Sequence, residues 1–380
     1  MEKNQAMKAK LQEAISKLPR VRLAKLPTPL EECPRLSKAL GGPRILIKRD
    51  DLTGLAFGGN KSRKYEFIMG KVKKIGADTI IHSTFPFSND ARQLSAAAAK
   101  LGISVYLVSL WDMKSKRMQG NLFLDYLLGA NIIFSNWLHG NLKRELAETL
   151  RKRGYNPYII GHYDDVLGTV AYVNCALELH DQLEELGLTP DYIILASGGS
   201  TQAGLILGAK ILQQNYKIIG FRPVKAGYQK MGLRMIKGNN DAAVAFHISE
   251  LANEAAKLLG FSTTVSARDV LNYDNYVGKG YGAITKECCE AIELVARTEG
   301  ILLDPIYTGK AMAGLIDYIR KGIIKADKTV VFLHTGGTPA LFSYNKEIAR
   351  QLRYRSKIFT NLKLKLKVWV KELKKRTERK

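Results

Sequence analysis

Short apolar runs recur along the chain, and each is followed by a stretch with helical character. The runs are rich in Ile and Val and occupy residues 78–81, 103–108, 131–134, 158–160, 192–195, 217–220 and 329–333. Strands that are apolar over nearly their whole length are typical of parallel sheets covered on both faces. The alternation of strand and helix therefore predicts an α/β fold with mostly parallel sheets.

The segments between these runs carry the helical signal. Residues 62–74 repeat their apolar side chains at helical spacing, and residues 91–100 are rich in alanine. Three of the predicted strands lead into loops of small and polar residues, at 87–90, 197–202 and 334–338. Ligands of open α/β sheets bind where strands end and helices begin, so these loops are candidate binding segments.

Composition limits the class of protein. The 380 residues are 46% hydrophobic, enough for sizeable cores, and no stretch resembles a membrane span or the apolar centre of a signal peptide. The four cysteines are too irregularly spaced for a disulfide framework or a zinc site, and Cys288 and Cys289 are predicted to share a helix with one of them buried. We therefore expect a cytoplasmic protein of two lobes with no metal.

The positive charge is concentrated at the C-terminus. Residues 346–380 hold 14 Lys and Arg against 3 Asp and Glu, which is 11 of the formal net charge of +24. Within them, residues 362–373 fit both strand and helical periodicity. This extension could contact lipid, nucleic acid or an acidic partner, although a solvated helix or a docked arm is more common. We predict no specific nucleic-acid binding and leave the partner of the extension open.

One lysine stands out by its neighbours. Lys61 follows Gly58, Gly59 and Asn60, and two glycines allow the backbone to bend tightly against a ligand. A lysine amine with a lowered pKa can form an imine with a pyridoxal aldehyde. Taken alone, such a string is more often a surface turn with a solvated lysine.

A second loop has the composition of a phosphate site. Residues 197–202 are Ser, Gly, Gly, Ser, Thr and Gln, and they run directly into a helix-like stretch at 203–208. Helix N-termini offer free N–H groups and partial positive charge to an anion. An ordinary strand-to-helix turn has the same appearance. Because the loop lacks both the Walker lysine and the full dinucleotide fingerprint, a cofactor with a single phosphate fits it better than a nucleotide.

The lysine, the phosphate loop and a Thr-Gly-Gly turn at 335–337 together match what a pyridoxal phosphate site needs. Here the chain resembles the D-cysteine desulfhydrase and 1-aminocyclopropane-1-carboxylate deaminase family, which belongs to the fold-type II, tryptophan-synthase-β-like enzymes. The resemblance extends from about residue 23 to residue 342, and it is carried by residues 48–64, 88–93, 120–130, 199–204, 276–282 and 300–312. It implies a two-lobed, three-layer α/β/α fold and a homodimer.

The resemblance also implies roles for individual residues. Lys61 would carry pyridoxal 5'-phosphate and act as a base once the substrate displaces it, and Asn60 would support its loop. Asn89 would meet the ring hydroxyl, while Ser88 and nearby amides would receive the carboxylate of a small amino-acid substrate. The phosphate would be held by Gly199, Ser200, Thr201, Gln202, Ala203 and Gly204.

Further family positions concern the substrate. Tyr281 and Tyr307 match two active-site tyrosines, whose phenols could position substrate or move a proton if their pKa values were lowered. In enzymes of the deaminase type, glutamate occupies the position of Thr308 and leucine that of Thr335. The two threonines of this chain therefore resemble the desulfhydrase pattern. We assign Thr335 to the ring nitrogen and Thr308 to the substrate pocket.

These positions favour a lyase acting on a small D-amino acid, with D-cysteine as the first candidate substrate. The alternatives are 1-aminocyclopropane-1-carboxylate deaminase or cysteate sulfo-lyase-like activity and, from another class, a non-catalytic protein that binds the cofactor or a partner through its basic extension. The substrate side supports these alternatives because it departs from the family at 84–87, at Asp90, where histidine is common, and at 161–168. Within the last segment, His162 and Tyr163 are candidate substrate-pocket residues.

The domain boundaries follow from the same comparison. We expect a large cofactor-binding domain from residues 1–64 and 168–345, a small domain from 65–167, and an extension at 346–380. The candidate site would lie between the two lobes.

Overall fold

A computed structural model describes residues 2–111, 118–135, 140–225 and 241–352. The described helices are α1 Glu2–Ser16, α2 Pro34–Ala39, α3 Lys61–Lys74, α4 Asn89–Leu101, α5 Gly120–Leu127, α6 Gly140–Lys152, α7 His162–Glu185, α8 Ser200–Ile211, α9 Asp241–Leu258, α10 Lys286–Glu299, α11 Thr308–Arg320, α12 Ala340–Ser343 and α13 Asn345–Gln351. The strands are β1 Leu30–Glu32, β2 Arg44–Lys48, β3 Thr79–Thr84, β4 Ser104–Leu110, β5 Asn131–Ser135, β6 Pro157–Ile159, β7 Tyr192–Ala196, β8 Lys217–Phe221, β9 Leu271–Tyr273 and β10 Thr329–Leu333.

The strands form two sheets. The larger sheet has the order β1-β2-β10-β7-β8-β9, and the smaller has the order β5-β4-β3-β6. Every pairing is parallel except that of β1 with β2. This confirms the predicted α/β fold with mostly parallel sheets.

Alternating residues of the larger sheet face two different cores. Ile193 and Leu195 of β7 belong to a cluster that also contains Ile80 and Val105 of the smaller sheet, so one apolar core joins both sheets. Ile194, between the first two, belongs to a second cluster with residues of α10 and α11. Successive strand side chains point to opposite faces, so this division shows a sheet covered on both sides, as the predicted three-layer arrangement requires.

All seven predicted strands occur, with ends that differ by three residues at most, and residues 329–333 coincide with β10. The sequence reasoning did not find β1, β2 and β9. The four strands of the smaller sheet all lie within residues 65–167. The six strands of the larger sheet all lie outside that range, and the domain boundaries stay a prediction.

Other sequence expectations can be compared with the described residues. Cys288 and Cys289 share α10 as predicted, but both are buried, so the expectation that only one is buried was wrong. Within the described ranges no group of side chains is arranged to hold a metal ion, and no helix is both long and apolar enough to cross a bilayer. The ambiguous segment at 362–373 lies outside the described residues.

Candidate active site

Four segments meet at the candidate site, which are the lysine loop at residues 58–60 before α3 and the loops that follow β3, β7 and β10. Asn60, at the start of α3, donates its side-chain amide to the Thr201 hydroxyl at 3.1 Å. The backbone N–H of Asn60 donates to the carbonyl of Thr335 at 3.0 Å. One asparagine therefore ties the lysine loop to the phosphate loop and to the Thr-Gly-Gly turn, as expected of a residue that supports Lys61.

The glycines before Lys61 are required by their surroundings. Gly58 and Gly59 have φ angles of +64° and +127°. A Cβ at Gly58 would lie 2.0 Å from the carbonyl oxygen of Asp51, and one at Gly59 would lie 2.4 Å from Nε2 of Gln93. A side chain at Gly58 would require the backbone to move, and one at Gly59 would displace the Gln93 amide and strain the backbone angle.

Side chains from α4 hold this loop from the other side. The carbonyl of Gly58 accepts hydrogen bonds from Nη2 of Arg92 and Nε2 of Gln93, both at 2.8 Å. The Gln93 amide oxygen also accepts from the Ser62 hydroxyl at 2.8 Å. Arg92 is fully buried, and this burial lowers its pKa to about 10. Sequence reasoning assigned no role to Arg92 or Gln93, although both lie in a segment that carries the family resemblance.

A buried ionic cluster fixes the first turn of α3, two residues after Lys61. The Arg63 guanidinium donates to both oxygens of Asp50 and to both oxygens of Glu178, at 2.8–2.9 Å. Asp50 also accepts from the hydroxyls of Thr28 and Tyr172. Planar guanidinium suits such bidentate pairing, so α3 is anchored to α7 by charge as well as by apolar packing.

The Lys61 amine lies among charges of both signs. Burial lowers its pKa, and the nearby Lys64 ammonium lowers it further, while the carboxylates of Asp90 and Asp165 act in the opposite direction. The net effect is a pKa below the usual lysine range, as imine formation at neutral pH requires. Nζ of Lys61 lies 3.8 Å from Oδ1 of Asp90, and its side chain keeps 24% of its surface exposed.

The predicted phosphate loop forms the N-terminus of α8. The amides of Gln202 and Ala203 already donate to the carbonyl of Gly199. The Gln202 side chain bonds to the Leu271 carbonyl and to Asn272, so it braces β9. The donors that remain suited to phosphate in this turn are those of Ser200 and Thr201.

Lys64 also borders the phosphate loop. A Cβ built on Gly168 would meet both the Lys64 side chain at 3.0 Å and the Ser200 hydroxyl at 3.2 Å, so these two side chains flank the same small space. At Gly199 a built Cβ would meet nothing within 4 Å, which shows open space beside the loop. This space and the free N–H groups at the start of α8 suit a phosphate dianion, while the Lys64 ammonium donates to Asp165.

The asparagine expected at the ring hydroxyl is held in a fixed orientation. Oδ1 of Asn89 accepts from Nδ2 of Asn121 at 2.9 Å and from the Arg92 guanidinium at 3.3 Å. With its oxygen occupied, the Asn89 amide group is left to donate, as contact with a ring hydroxyl needs. Ser88 caps α4 by accepting from the N–H groups of Asp90 and Ala91, and its own proton remains for a ligand.

The two tyrosines lie together. Their phenol oxygens are 2.8 Å apart, and the ring of Phe85 packs on Tyr281 with ring centres separated by 5.2 Å. Burial raises the pKa of both Tyr281 and Tyr307 well above the usual value. The lowered pKa that an ionised phenol would need is therefore absent, and both phenols act as neutral hydrogen-bonding groups.

The remaining predicted substrate residues have other partners. His162 is exposed and contacts the carboxylate of Glu254 at 3.0 Å. Tyr163 is exposed, with the Lys71 ammonium 4.2 Å from its ring centre. Thr308 is fully buried, and its hydroxyl donates to Asp304. These contacts are with other residues of the chain, and the assignment of all three residues to the substrate pocket stays a prediction.

The donor set fits pyridoxal phosphate. It provides an amine of lowered pKa at Lys61, N–H and hydroxyl donors at Ser200 and Thr201, an oriented amide at Asn89 and the Thr335 hydroxyl. These groups come from four segments, which are the lysine loop, the phosphate loop, the Thr-Gly-Gly turn and the start of α4. Hydrogen bonds from Asn60 and Arg92 join them into one site.

Comparison with known proteins gives the same result. A family model described as "Pyridoxal-phosphate dependent enzyme" matches residues 21–336. A putative 1-aminocyclopropane-1-carboxylate deaminase of Pyrococcus abyssi is 36% identical over 91% of this chain and 100% of its own length. A D-cysteine desulfhydrase of Yersinia enterocolitica is also 36% identical, over 89% of this chain and 99% of its own length. A crystal structure described as that of an ACC deaminase homologue aligns with a TM-score of 0.79 at 34% identity, covering 90% of this chain and 99% of the other.

Proposed function

We propose that this chain, which belongs to the pyridoxal-phosphate-dependent enzymes and within them to the 1-aminocyclopropane-1-carboxylate deaminase and D-cysteine desulfhydrase group, acts as a D-cysteine desulfhydrase. Pyridoxal phosphate is the cofactor of this family. In the proposed reaction D-cysteine and water give pyruvate, ammonia and hydrogen sulfide. The α-proton leaves first, and the Cβ–S bond then breaks with its electron pair on sulfur.

Separate residues of the site bind the cofactor and transfer the α-proton. When bound, the cofactor supplies an electron sink for the negative charge that develops at the substrate α-carbon. The Lys61 amine holds the cofactor and then takes the α-proton, for which its lowered pKa suits it. Ser200 and Thr201 hold the phosphate, and Asn89 donates to the ring hydroxyl.

A second group of residues binds the substrate. Ser88 donates its hydroxyl proton to the substrate carboxylate. Tyr281 and Tyr307, hydrogen-bonded to each other, orient the substrate as neutral phenols. Phe85 packs on Tyr281 and narrows this side, which favours a small substrate.

Thr335 is the residue that favours elimination of sulfide over deamination of the cyclopropane amino acid. Its carbonyl accepts from Asn60, so the Thr335 backbone is fixed beside the lysine loop, and its side chain is a neutral hydroxyl. The carboxylate next to this turn, Asp304, is occupied by the N–H groups of Ile306, Tyr307 and Thr308. A neutral partner leaves the ring nitrogen less protonated and the electron sink weaker, which suffices when the β substituent is a good leaving group such as sulfide.

A substrate panel tests this proposal. Purified protein supplied with pyridoxal phosphate is assayed for sulfide, pyruvate and ammonia from D-cysteine and L-cysteine. We expect the three products in equal amounts from D-cysteine. The Lys61→Ala variant should lose this activity, whereas Lys74→Ala, which removes an exposed lysine of the same helix, should retain it. Wild-type rates of pyruvate release by Lys61→Ala would contradict the assignment.

The second candidate is deamination of 1-aminocyclopropane-1-carboxylate. It is supported by the Pyrococcus relative, which is named a putative 1-aminocyclopropane-1-carboxylate deaminase and is as similar to this chain as the desulfhydrase is, at 36% identity. Release of 2-oxobutyrate from the cyclopropane amino acid would favour it, and sulfite from D-cysteate would favour a sulfo-lyase. Absence of product from every substrate, with cofactor bound, would favour the non-catalytic alternative.

The assembly and location of the enzyme are part of the same proposal. A homodimer is supported by the family resemblance, and the cytoplasmic location stays a prediction from the sequence. Light scattering on the eluting protein during size-exclusion chromatography should give twice the chain mass of 42.3 kDa. A mass of one chain at assay concentrations would contradict the dimer.

A further inference from the structure

One carboxylate oxygen near the Lys61 amine, Oδ1 of Asp90, has no hydrogen-bond partner. Oδ2 of Asp90 contacts Nε2 of His82 at 2.9 Å, which fixes the carboxylate on α4 against β3. Oδ1 is shielded from solvent and has no hydrogen-bond partner. An unsatisfied carboxylate oxygen is costly, so a donor is expected there when the site is in use.

The Lys61 ammonium and the buried Tyr65 hydroxyl are the two groups placed to supply that donor, and of these only Lys61 carries a charge. Its Nζ is 3.8 Å from Oδ1, about 1 Å beyond a charge-assisted hydrogen bond. The other ammonium in this cluster, that of Lys64, already donates to Asp165 at 2.8 Å. The charges therefore sort into two pairs, Lys64 with Asp165 and Lys61 with Asp90.

We propose that Asp90, held by His82, is a positioning residue that favours a proton on the Lys61 nitrogen before the substrate displaces it. Asp90 also directs that nitrogen toward the space between the phosphate loop and the Thr-Gly-Gly turn. Asp90 acts through Lys61 and not on the substrate. This role rests on the proposed function only in taking Lys61 as the residue that carries the cofactor.

The charges around Asp90 support this role. Burial raises the pKa of Asp90, but Lys61, Lys64 and the His82 hydrogen bond outweigh burial and hold it well below the usual range, so Asp90 is ionised at neutral pH. Tyr65 on α3 stays neutral, because burial and the Asp90 charge both raise its pKa. The other titratable groups of this cluster are Asp164 and Asp165 on α7 and Tyr307 before α11.

The first experiment measures Lys61 directly, on the full-length chain freed of cofactor. Acetic anhydride reacts with neutral amines, and 24% exposure leaves Lys61 accessible to it. Acetylation is followed over a range of pH by peptide mass spectrometry. Asp90→Asn should acetylate Lys61 about tenfold faster or more at pH 7, because a lysine without its neighbouring opposite charge is more often neutral. Asp90→Glu, which keeps the charge, should lie nearer the wild type.

Two further variants make the result specific. Asp165→Asn removes an equal charge from the same cluster, but from the carboxylate that serves Lys64, and it should accelerate Lys61 acetylation less than Asp90→Asn does. Asp90→Ala removes the charge without adding an amide and should match Asp90→Asn. Ser88 still caps α4 in both Asp90 variants, and circular dichroism checks their folding. Unchanged or slower Lys61 acetylation in Asp90→Asn and Asp90→Ala would overturn the proposal.

A second measurement uses the protein loaded with pyridoxal phosphate. The visible absorbance of the lysine-bound cofactor changes with protonation of the Lys61 nitrogen, and the midpoint of this change should move to lower pH in Asp90→Asn. An unchanged midpoint would overturn the role of Asp90. Neither readout depends on which amino acid is converted, so failure of the D-cysteine assay alongside the expected acetylation result would remove the proposed reaction only.

Discussion

The ionic cluster behind Lys61 yields a quantitative prediction for Arg63→Met. Arg63 is 1% exposed, and its guanidinium makes hydrogen bonds to Asp50, Glu178 and Thr28. Methionine fills a similar volume but leaves Asp50 with only the neutral donors of Thr28 and Tyr172. Removing one partner of a buried ion pair costs about 3–5 kcal/mol. We therefore expect the free energy of unfolding to fall by about that amount, a large part of the ~5–15 kcal/mol typical of folded domains.

Unfolding in guanidinium chloride at 25 °C, followed by circular dichroism, measures this loss in the free energy of unfolding. The matched control is Arg44→Met, because Arg44 makes a similar two-bond pair with Glu32 at an exposed position. Exposed pairs contribute little, so the control should change the free energy of unfolding far less. A loss below ~1 kcal/mol in Arg63→Met would refute the reasoning, since that is the range of an exposed pair.

Three other predictions concern the lysine loop, acid stability and the tyrosine pair. Gly59→Ala should greatly reduce pyridoxal phosphate uptake, measured by absorbance, because its Cβ would lie 2.4 Å from Gln93, whereas Gly76→Ala, also at positive φ but with open space, should leave uptake unchanged. Although burial opposes it, pairing with Arg63 and Lys48 lowers the pKa of Glu178 from 4.5 to about 2, so its stabilisation is complete above pH 4.5 and is lost as the pH falls toward 2. The stability difference between wild type and Glu178→Gln in denaturant melts should therefore shrink over that range, and a constant difference would argue against the pairing. Tyr307→Phe should raise KM while leaving the alkaline limb of the rate profile in place, because burial keeps this phenol protonated there; loss of that limb would show that Tyr307 ionises.

Local patterns predicted most of the strands. The run at 329–333 is apolar through its last four residues, and it coincides with β10. The missed strands carry weaker signals. β9 is three residues long with Asn272 at its centre, and β2 has only three apolar residues between Arg44 and Lys48. Their pairing with longer neighbours makes them strands, and a single stretch of sequence does not contain that information.

Some residues of the candidate site could likewise be predicted from local sequence, and others could not. Lys61 and the three loops could be found because glycines and hydroxyls at strand ends are a local signal. The groups that hold the lysine loop could not, since Arg63 pairs with Glu178 across 115 positions of the chain. Asp90 could be recognised as a departure from the family, but only the folded chain places its carboxylate 3.8 Å from the Lys61 amine.

The most direct test of this account is to locate the bond to the cofactor. Full-length protein is loaded with pyridoxal phosphate, reduced with borohydride, digested and examined by peptide mass spectrometry. We expect visible absorbance before reduction and a phosphopyridoxyl group on Lys61 after it. A group on another lysine, such as Lys64, or a protein that takes up none of the cofactor in excess, would contradict the central claim.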